Sequence, residues 1–320
     1  MDRVYDMIVI GGGPAGYTAA LYACRAGLDT LVLERMSVGG QMALTDVIDN
    51  YPGYDEGVDG FTLGMKMQAG AERFGARTEY TEVLKTELTG KIKRILTSDG
   101  ERLAKTVVIA TGANPRPLGL AGEEALVGRG LHYCAHCDGR FYKDKIVAVV
   151  GGGNSAVSDA LYLSGLAKKV YLIHRRDRLR ATAIYEKPLM KAENVEFLWN
   201  NAVAEWKVSD GKLAGVVLQN AQSGARQEIS LDGIFVSIGR LPATELLVGQ
   251  VDLDANGYVI ADETTQTNLG GVFAVGDVRT KLLRQVVTAV GDGAVAAHLA
   301  EEYLQTEQSS YASQKKEKKP

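Results

Sequence analysis

Residues 6–34, DMIVIGGGPAGYTAALYACRAGLDTLVLE, contain a strand, a glycine turn, a helix and a second strand in succession. The first apolar run ends on three glycines with the spacing G-x-G-x-x-G, namely Gly11, Gly13 and Gly16. A helical apolar pattern follows and stops at Gly27, and the second apolar run ends at Glu34. These glycines permit a tight turn, a close approach of pyrophosphate and close helix–strand packing. The stretch predicts a βαβ unit that binds a dinucleotide, with Glu34 accepting from a ribose hydroxyl.

The same design returns at residues 146–174, where IVAVV leads into GGGNSA, a helical stretch and KVYLIH. Gly11 to Glu34 and Gly151 to His174 both span 23 positions, which indicates an internal duplication. The second unit has HRRDRLR (174–180) where the first has its acid. Guanidinium groups bind phosphate oxygens two at a time, so this turn is expected to bind the 2′-phosphate of NADPH and to prefer NADPH to NADH.

Three later apolar strands end in glycine: 106–113, 233–240 and 271–277. The third has no βαβ unit of its own and is expected to complete the first. The predicted fold class is therefore α/β, with two nested Rossmann-like dinucleotide-binding domains, the second inserted into a discontinuous first. The expected boundaries are 1–115 and 243–305 for the first domain, 116–242 for the inserted domain and 306–320 for a disordered tail.

The composition excludes several classes of protein. Hydrophobic residues make up 46% of the 320 residues, charged residues 23%, and the net charge is −3. No strong field argues for nucleic acid or an anionic membrane, and no apolar run is long enough to span a bilayer. The N-terminus lacks a signal-peptide pattern, and three cysteines are too few for a disulfide scaffold, so we expect a cytoplasmic protein.

Two of the three cysteines lie in HYCAHCDG, residues 132–139, and three chemistries compete for them. A zinc site is disfavoured because its usual second pair of distant ligands is missing. A structural disulfide is weak because so short a loop restricts the unfolded chain little. Thiol–disulfide exchange is favoured, in which one thiolate attacks a partner disulfide and the other resolves the mixed disulfide. Asp138 then acts as an acid or base for the thiols, or is only a turn residue before Gly139.

From residue 5 to about residue 305 the sequence resembles bacterial-type, low-molecular-weight thioredoxin reductases. The resemblance rests on the order and spacing of GGGPAG, GGQM…IDNYPG, ATGA, CAHCDG, GGGNSA, HRRDRLR and GVFAVGDV…RQVVTAVGDG. It implies that FAD occupies the first site and NADPH the second, with electrons passing from NADPH through FAD and the Cys134–Cys137 disulfide to thioredoxin. It also implies that Cys137 is nearer the flavin, Cys134 attacks thioredoxin and Asp138 protonates the outgoing thiolate. A homodimer is the usual state of the family.

The resemblance also assigns cofactor contacts by position. For FAD they are Gly11, Gly13, Pro14, Ala15, Gly16, Glu34, Arg35, Gly40, Gln41, Asn50, Val83, Gly112, Gly276, Asp277, Arg284, Gln285 and Val286. For NADPH they are Gly153, Asn154, Ser155, Ala156, His174, Arg175, Arg176, Arg180, Ile238 and Gly239.

The chain departs from the family at His136, which lies between the cysteines where relatives have threonine. A cationic imidazole there favours thiolate over thiol, so we expect His136→Thr to alter the pH dependence of partner reduction. Three other functions stay open from the residues: a flavin reductase for another protein disulfide, a small-molecule dithiol oxidase, and a non-catalytic redox sensor. The complete cysteine pair with its aspartate argues against the sensor.

Overall fold

The computed structural model describes residues 3–45, 47–48 and 50–317, and the side chains of Cys137 and of residues 308–317 lie outside the description. The chain forms two compact units, residues 1–114 with 241–320, and residues 115–240. The crossings that we expected after residues 115 and 242 fall at the ends of the two short strands that contain the observed boundaries. These two strands pair with each other in a two-stranded sheet.

The secondary-structure elements are numbered in chain order. The strands are β1 Val4–Ile10, β2 Thr30–Glu34, β3 Arg77–Tyr80, β4 Val83–Glu87, β5 Lys93–Thr97, β6 Gly100–Ile109, β7 Ala113–Pro115, β8 Leu131–His132, β9 Ile146–Val150, β10 Lys169–His174, β11 Val195–Trp199, β12 Asn201–Ser209, β13 Lys212–Asn220, β14 Arg226–Ser230, β15 Gly233–Val236, β16 Arg240–Pro242 and β17 Val272–Ala274. The helices are α1 Pro14–Arg25, α2 Gly60–Glu72, α3 Glu123–Leu126, α4 Ala135–Asp138, α5 Asn154–Ser164, α6 Ala183–Leu189 and α7 Val286–Glu317.

The first unit is built on parallel strands in the order β3-β2-β1-β6-β17. β17 pairs with β6 over Val272–Ala274, which confirms that the third glycine-ended strand completes the first sheet. β4 and β5 extend the sheet as an antiparallel pair beside the other end of β6.

The second unit repeats this plan with five parallel strands in the order β11-β10-β9-β15-β8. A separate antiparallel sheet, β12-β13-β14, stands where the first unit has β4 and β5. The two α/β sheets confirm the predicted fold class, because in each the first strand lies in the middle, flanked by the strand that follows its helix.

Each sheet is buried on both faces, as continuous apolar strands predict. Met7, Ile8 and Val9 of β1 are fully buried, and so are Val147, Ala148 and Val149 of β9. Alternate residues of each strand belong to different core clusters on the two faces of the sheet. Burial of a large apolar side chain stabilises a fold by about 1.5–3 kcal/mol, so these strands fix the glycine turns that follow them.

The chain end differs from its prediction, because α7 continues to Glu317 where we expected a disordered tail from residue 306. Residues 306–317 contain no glycine or proline and are rich in residues that accept a helix, so α7 meets no stop signal. Residues 318–320 lie outside the described part. Across the described ranges, no helix is both long and apolar enough to cross a membrane.

Candidate active site

The first glycine turn is closed by backbone contacts that exclude side chains at two of its positions. Gly11 has φ +109°, and a Cβ there would lie 2.4 Å from the carbonyl oxygen of Ala110. A Cβ on Gly16 would lie 2.0 Å from the carbonyl oxygen of Gly11. A Cβ on Gly13, in contrast, would meet no protein atom within 4 Å. Packing therefore explains two of the glycines, and the open side at Gly13 suits the approach of a pyrophosphate.

The acid at the end of β2 lies beside this turn. The backbone N–H of Gly12 donates to Glu34 Oε2 at 2.7 Å, and Met36 N–H donates to Oε1 at 3.0 Å. α1 begins at Pro14, which leaves the free N–H groups of its first turn beside the glycines. Backbone donors for phosphate and a positioned carboxylate for ribose fit a flavin dinucleotide.

Residues far apart in the sequence meet around the first turn. Gly39 N–H donates to the carbonyl oxygen of Gly12 at 2.9 Å, so the turn that holds Gly40 and Gln41 lies against the glycine turn. A Cβ on Gly276 would lie 3.1 Å from the Cβ of Ala15, which places the 276–278 turn on the same helix start.

The other predicted flavin contacts lie in the same unit. Asn50 Nδ2 donates to Gln285 Oε1 at 2.9 Å, and Val286 begins α7. The Arg284 guanidinium lies over the Tyr258 ring at 4.0 Å, with its Nε donating to the carbonyl oxygen of Asp277 at 3.4 Å.

For three of the predicted flavin contacts, no hydrogen bond or close contact with the first glycine turn is described. Arg35 is exposed, and its Nη1 lies 3.8 Å from Glu82 Oε1. Val83, the next residue after Glu82, begins β4. Gly112 adopts φ +69° after β6, and a Cβ there would meet no protein atom within 4 Å.

Asp292 is a buried residue of this site that the sequence reasoning missed. It accepts from Gly276 N–H at 2.8 Å and forms ion pairs with Arg279 and Lys281, both at 2.7 Å. Burial opposes its charge, but the bonds from Arg279 and Lys281 lower the pKa of the carboxyl group. Asp292 thereby holds the turn that carries Asp277. An acid between Gly291 and Gly293 in an otherwise small and apolar helix was the available signal.

The second glycine turn keeps the open position but changes the other two. Gly151 has φ +150°, and the third position is Ala156, which is fully buried in α5. A Cβ on Gly153 would meet no protein atom within 4 Å, as at Gly13. A Cβ on Gly151 would lie 2.3 Å from the carbonyl oxygen of Ser237, so the segment with Ile238 and Gly239 follows directly beside the turn.

Polar groups line the open side of this second turn. Asn154 Oδ1 accepts from Thr182 N–H at 2.8 Å, and Arg180 N–H donates to the carbonyl oxygen of Gly152 at 2.7 Å. Ser155 and the side chains of Arg175, Arg176 and Arg180 are exposed. Within the described residues these three arginines form no ion pair, so their charge is available to an anionic ligand.

His174 is buried at the end of β10, and burial lowers its pKa, although Arg178 accepts a bond from it. Its Nε2 lies 3.1 Å from the Arg178 carbonyl oxygen. A neutral imidazole therefore closes the turn and leaves recognition of phosphate to the arginines.

The cysteine motif consists of Cys134 and the short helix α4 that follows it in the second unit. Cys134 is half-buried and disulfide-bonded, whereas the side chain of Cys137 lies outside the described part. Asp138 Oδ2 lies 3.0 Å from His132 Nδ1. The third cysteine, Cys24, is a free thiol on α1 whose pKa is raised by burial.

His136 contacts α5 from its position between the two cysteines. Its ring lies 4.2 Å from that of Tyr162 at an interplanar angle of 35°. One turn earlier on α5, burial raises the pKa of Asp159, although Ser237 Oγ donates to it. The histidine thus has an aromatic neighbour and a buried acid nearby.

Comparison with known proteins agrees with this geometry. The family model described as pyridine nucleotide-disulphide oxidoreductase matches residues 5–293. The thioredoxin reductase of Listeria innocua is 46% identical over 95% of both chains, and that of Bacillus subtilis is 43% identical over 95% of this chain and 96% of its own. The crystal structure of Lactococcus lactis thioredoxin reductase is 44% identical with a TM-score of 0.86, over 94% of this chain and 99% of its own. That of T. acidophilum thioredoxin reductase is 33% identical with a TM-score of 0.81, over 95% and 99%.

A family model over most of the chain and relatives above 40% identity establish the membership. The chain therefore belongs to the pyridine nucleotide-disulphide oxidoreductase family and, within it, to the thioredoxin reductases, the flavoproteins that use FAD and NADPH.

Proposed function

We propose that this chain reduces the disulfide of thioredoxin with electrons taken from NADPH through FAD and a Cys134–Cys137 pair. The observation that carries the proposal is the disulfide at Cys134, three residues before Cys137 and four before an acid, in a unit with an open dinucleotide turn. A disulfide closed within so short a stretch stabilises little, so its value is chemical.

The first turn is the proposed flavin site. The α1 amides and the open side of Gly13 receive the pyrophosphate, and Glu34 accepts from the ribose. Asp277 follows Gly276, whose N–H Asp292 holds, and Arg284 Nε donates to the Asp277 carbonyl oxygen. Bound by these residues, FAD would supply two-electron transfer between a nicotinamide and a disulfide.

The second turn is the proposed NADPH site. Gly153 and Asn154 offer their backbone to the pyrophosphate at the start of α5. Arg175, Arg176 and Arg180 supply positive charge for the 2′-phosphate, which NADH lacks.

The thiol steps use Cys134 and two residues of α4, the helix that follows it. The Cys134 thiolate attacks the thioredoxin disulfide, Cys137 resolves the mixed disulfide, and Asp138 gives a proton to the outgoing thiolate. We also propose a cytoplasmic homodimer, by analogy with the family.

The proposal is tested by anaerobic titration of the flavin-loaded protein with NADPH. A flavin and a disulfide each hold two electrons, so the wild type should consume about two equivalents of NADPH and Cys134→Ser about one. Cys24→Ser removes the free thiol on α1 and is the matched control, expected to behave as the wild type.

Steady-state reduction of thioredoxin with NADPH, run beside NADH, completes the test. Equal uptake by wild type and Cys134→Ser would contradict the redox role of the pair. Oxidation of small dithiols with O₂ as the electron acceptor, without reduction of any thioredoxin, would favour the dithiol-oxidase alternative.

A further inference from the structure

We propose that His132 is a positioning residue that shares a proton with Asp138 and so keeps the acid of the thiol steps loaded near neutral pH. The inference rests on the proposed function and deepens it. It concerns the second unit alone, where His132 ends β8 two residues before Cys134.

The imidazole is held on both of its nitrogens. Nδ1 lies 3.0 Å from Asp138 Oδ2, and Nε2 lies 2.7 Å from the hydroxyl of Tyr142. The ring is stacked on Phe235 with centroids 5.3 Å apart and an interplanar angle of 27°. Only 7% of the histidine is exposed, whereas 34% of the Asp138 side chain is exposed. The Asp138 carboxyl group is therefore accessible to a reacting sulfur, whereas the His132 imidazole is shielded from water.

The backbone of β15 is shaped to accept Tyr142. A Cβ on Gly233 would lie 2.3 Å from Tyr142 Cε1, so a side chain at that position would displace the phenol. Burial raises the pKa of Tyr142 to about 12, and the nearby charges of Asp138 and Asp232 add to the effect. The phenol therefore keeps its proton throughout the working range of the protein.

A protonated phenol accommodates both charge states of His132. With neutral imidazole, Tyr142 O–H donates to Nε2 while Nδ1–H donates to Asp138. With imidazolium, Nε2–H donates to the phenol oxygen and Nδ1–H still donates to Asp138. Only the phenol hydrogen turns, so His132 can gain or lose a proton without breaking a heavy-atom contact.

Among the described residues, the elements around the imidazole carry the following titratable or charged groups. α4 contributes Asp138 and His136, and the turn after it contributes Arg140 and Tyr142. Lys145 Nζ lies 5.4 Å from the centre of the Tyr142 ring, and Asp232 precedes β15. The strand Gly233–Val236 itself carries no charge.

The proton balance closes within the protein and its substrate. Cys134 first gives its thiol proton to the His132–Asp138 pair and then bonds, as a thiolate, to one sulfur of the substrate disulfide. That S–S bond breaks, and the leaving thiolate takes the proton from the Asp138 carboxyl group, to which His132 Nδ1 supplies it. The second enzyme thiol then gives its own proton to the same pair as it becomes the resolving thiolate. Attack of that thiolate on Cys134 releases the second substrate thiolate, which is protonated by the same route. Two electrons and two protons pass from the enzyme dithiol to the substrate dithiol.

The test is the pH profile of the oxidation of NADPH-reduced protein by thioredoxin, followed by stopped flow from about pH 5 to 9. A proton held by the His132–Asp138 pair is needed at the leaving thiolate, so the wild-type profile should have a falling limb on its alkaline side. Asn at 132 keeps a donor for Asp138 but holds no proton. We expect His132→Asn to move the falling limb toward acid by about one pH unit or more, and to slow the reaction about tenfold or more above it.

Two variants separate proton sharing from packing. Phe235→Leu removes the ring that stacks on His132 and packs against Tyr142 but takes part in neither hydrogen bond, so it should leave the limb where it is. Tyr142→Phe keeps the imidazole and should move the limb less than His132→Asn does. If His132→Asn fails to fold, as judged by its flavin content and thermal unfolding, His132→Gln replaces it.

A limb that stays at the wild-type pH in both His132 variants would overturn the inference while leaving the proposed function intact. Repeating the profile with hydroxyethyl disulfide keeps the test valid if thioredoxin is not a substrate, because this disulfide also releases basic alkyl thiolates. Failure of wild-type thioredoxin reduction would count against the proposed function, and the limb with the small disulfide would still decide the role of His132.

Discussion

The residue that ends the second strand of each βαβ unit lies over the middle glycine of its own turn: Glu34 over Gly12 and His174 over Gly152. A Cβ on Gly12 would lie 3.0 Å from Glu34 Oε2, and one on Gly152 would lie 2.2 Å from His174 Cε1. The same scaffold position thus presents a carboxylate in one unit and an imidazole in the other. One residue at a duplicated position, together with the turn that follows, distinguishes the two proposed nucleotide sites on equivalent sheets.

The two turns also differ in how tightly they close. At the third position the first unit needs Gly16, because a Cβ there would lie 2.0 Å from the carbonyl oxygen of Gly11. The second unit buries the methyl group of Ala156 at the same place, and its first glycine has φ +150° where Gly11 has +109°. The duplicated pattern therefore folds with two local geometries.

The largest effect is expected when the residues at the third position of the two glycine turns, Gly16 and Ala156, are exchanged. Gly16→Ala places a methyl group against backbone atoms, which cannot move aside as a flexible side chain can. We therefore expect the free energy of unfolding to fall by about 3 kcal/mol or more. The reverse change, Ala156→Gly, costs only the helix propensity and a small void, about 1 kcal/mol. Flavin content after purification and urea unfolding measure both effects. Equal losses in the two variants would show that the turns close alike.

Much of this arrangement is predictable from the sequence because it is local. Glycine spacing, apolar run length and the residue at the strand end lie within one unit of 23 positions, so they predicted both turns and the parallel sheets. The arginine turn was equally visible, because its three side chains are close in sequence.

Contacts between distant residues could not be predicted in this way. Asp292 bonds to Gly276 from another element, and Asn50 meets Gln285 across 235 positions. No periodicity encodes such pairs, since they depend on how helices and turns pack. The continuation of α7 to Glu317 was missed because a polar composition alone does not distinguish an exposed helix from a coil.

The arginines in the turn of the second unit should determine its preference for NADPH over NADH. Arg176→Ala with Arg180→Ala removes two charges proposed to bind the 2′-phosphate. A hydrogen bond to a charged group contributes about 1.5–3 kcal/mol, so kcat/KM for NADPH should fall about 10- to 100-fold, with little change for NADH.

Arg178 supplies the matched control. Its side chain is exposed in the same turn, and only its backbone carbonyl oxygen contacts His174. Arg178→Ala should therefore keep the preference for NADPH. A double variant that loses NADPH and NADH activity in parallel would indicate a damaged turn instead of a lost phosphate contact.

The smallest expected effect concerns His174 and the pH dependence of stability. Its pKa is lowered in the folded state, mainly by burial, so the unfolded chain binds more protons than the folded one over the interval between the two values. The stability that neutral His174 provides is complete above the unfolded value of about 6.5 and is lost as the pH falls toward the folded value. The slope due to one proton is at most about 1.4 kcal/mol per pH unit. We expect His174→Gln to flatten the pH dependence of the urea-unfolding free energy below about pH 6.5. Identical slopes in wild type and His174→Gln would mean that folding does not lower the pKa of this imidazole, so burial would not be what keeps His174 neutral in the second turn.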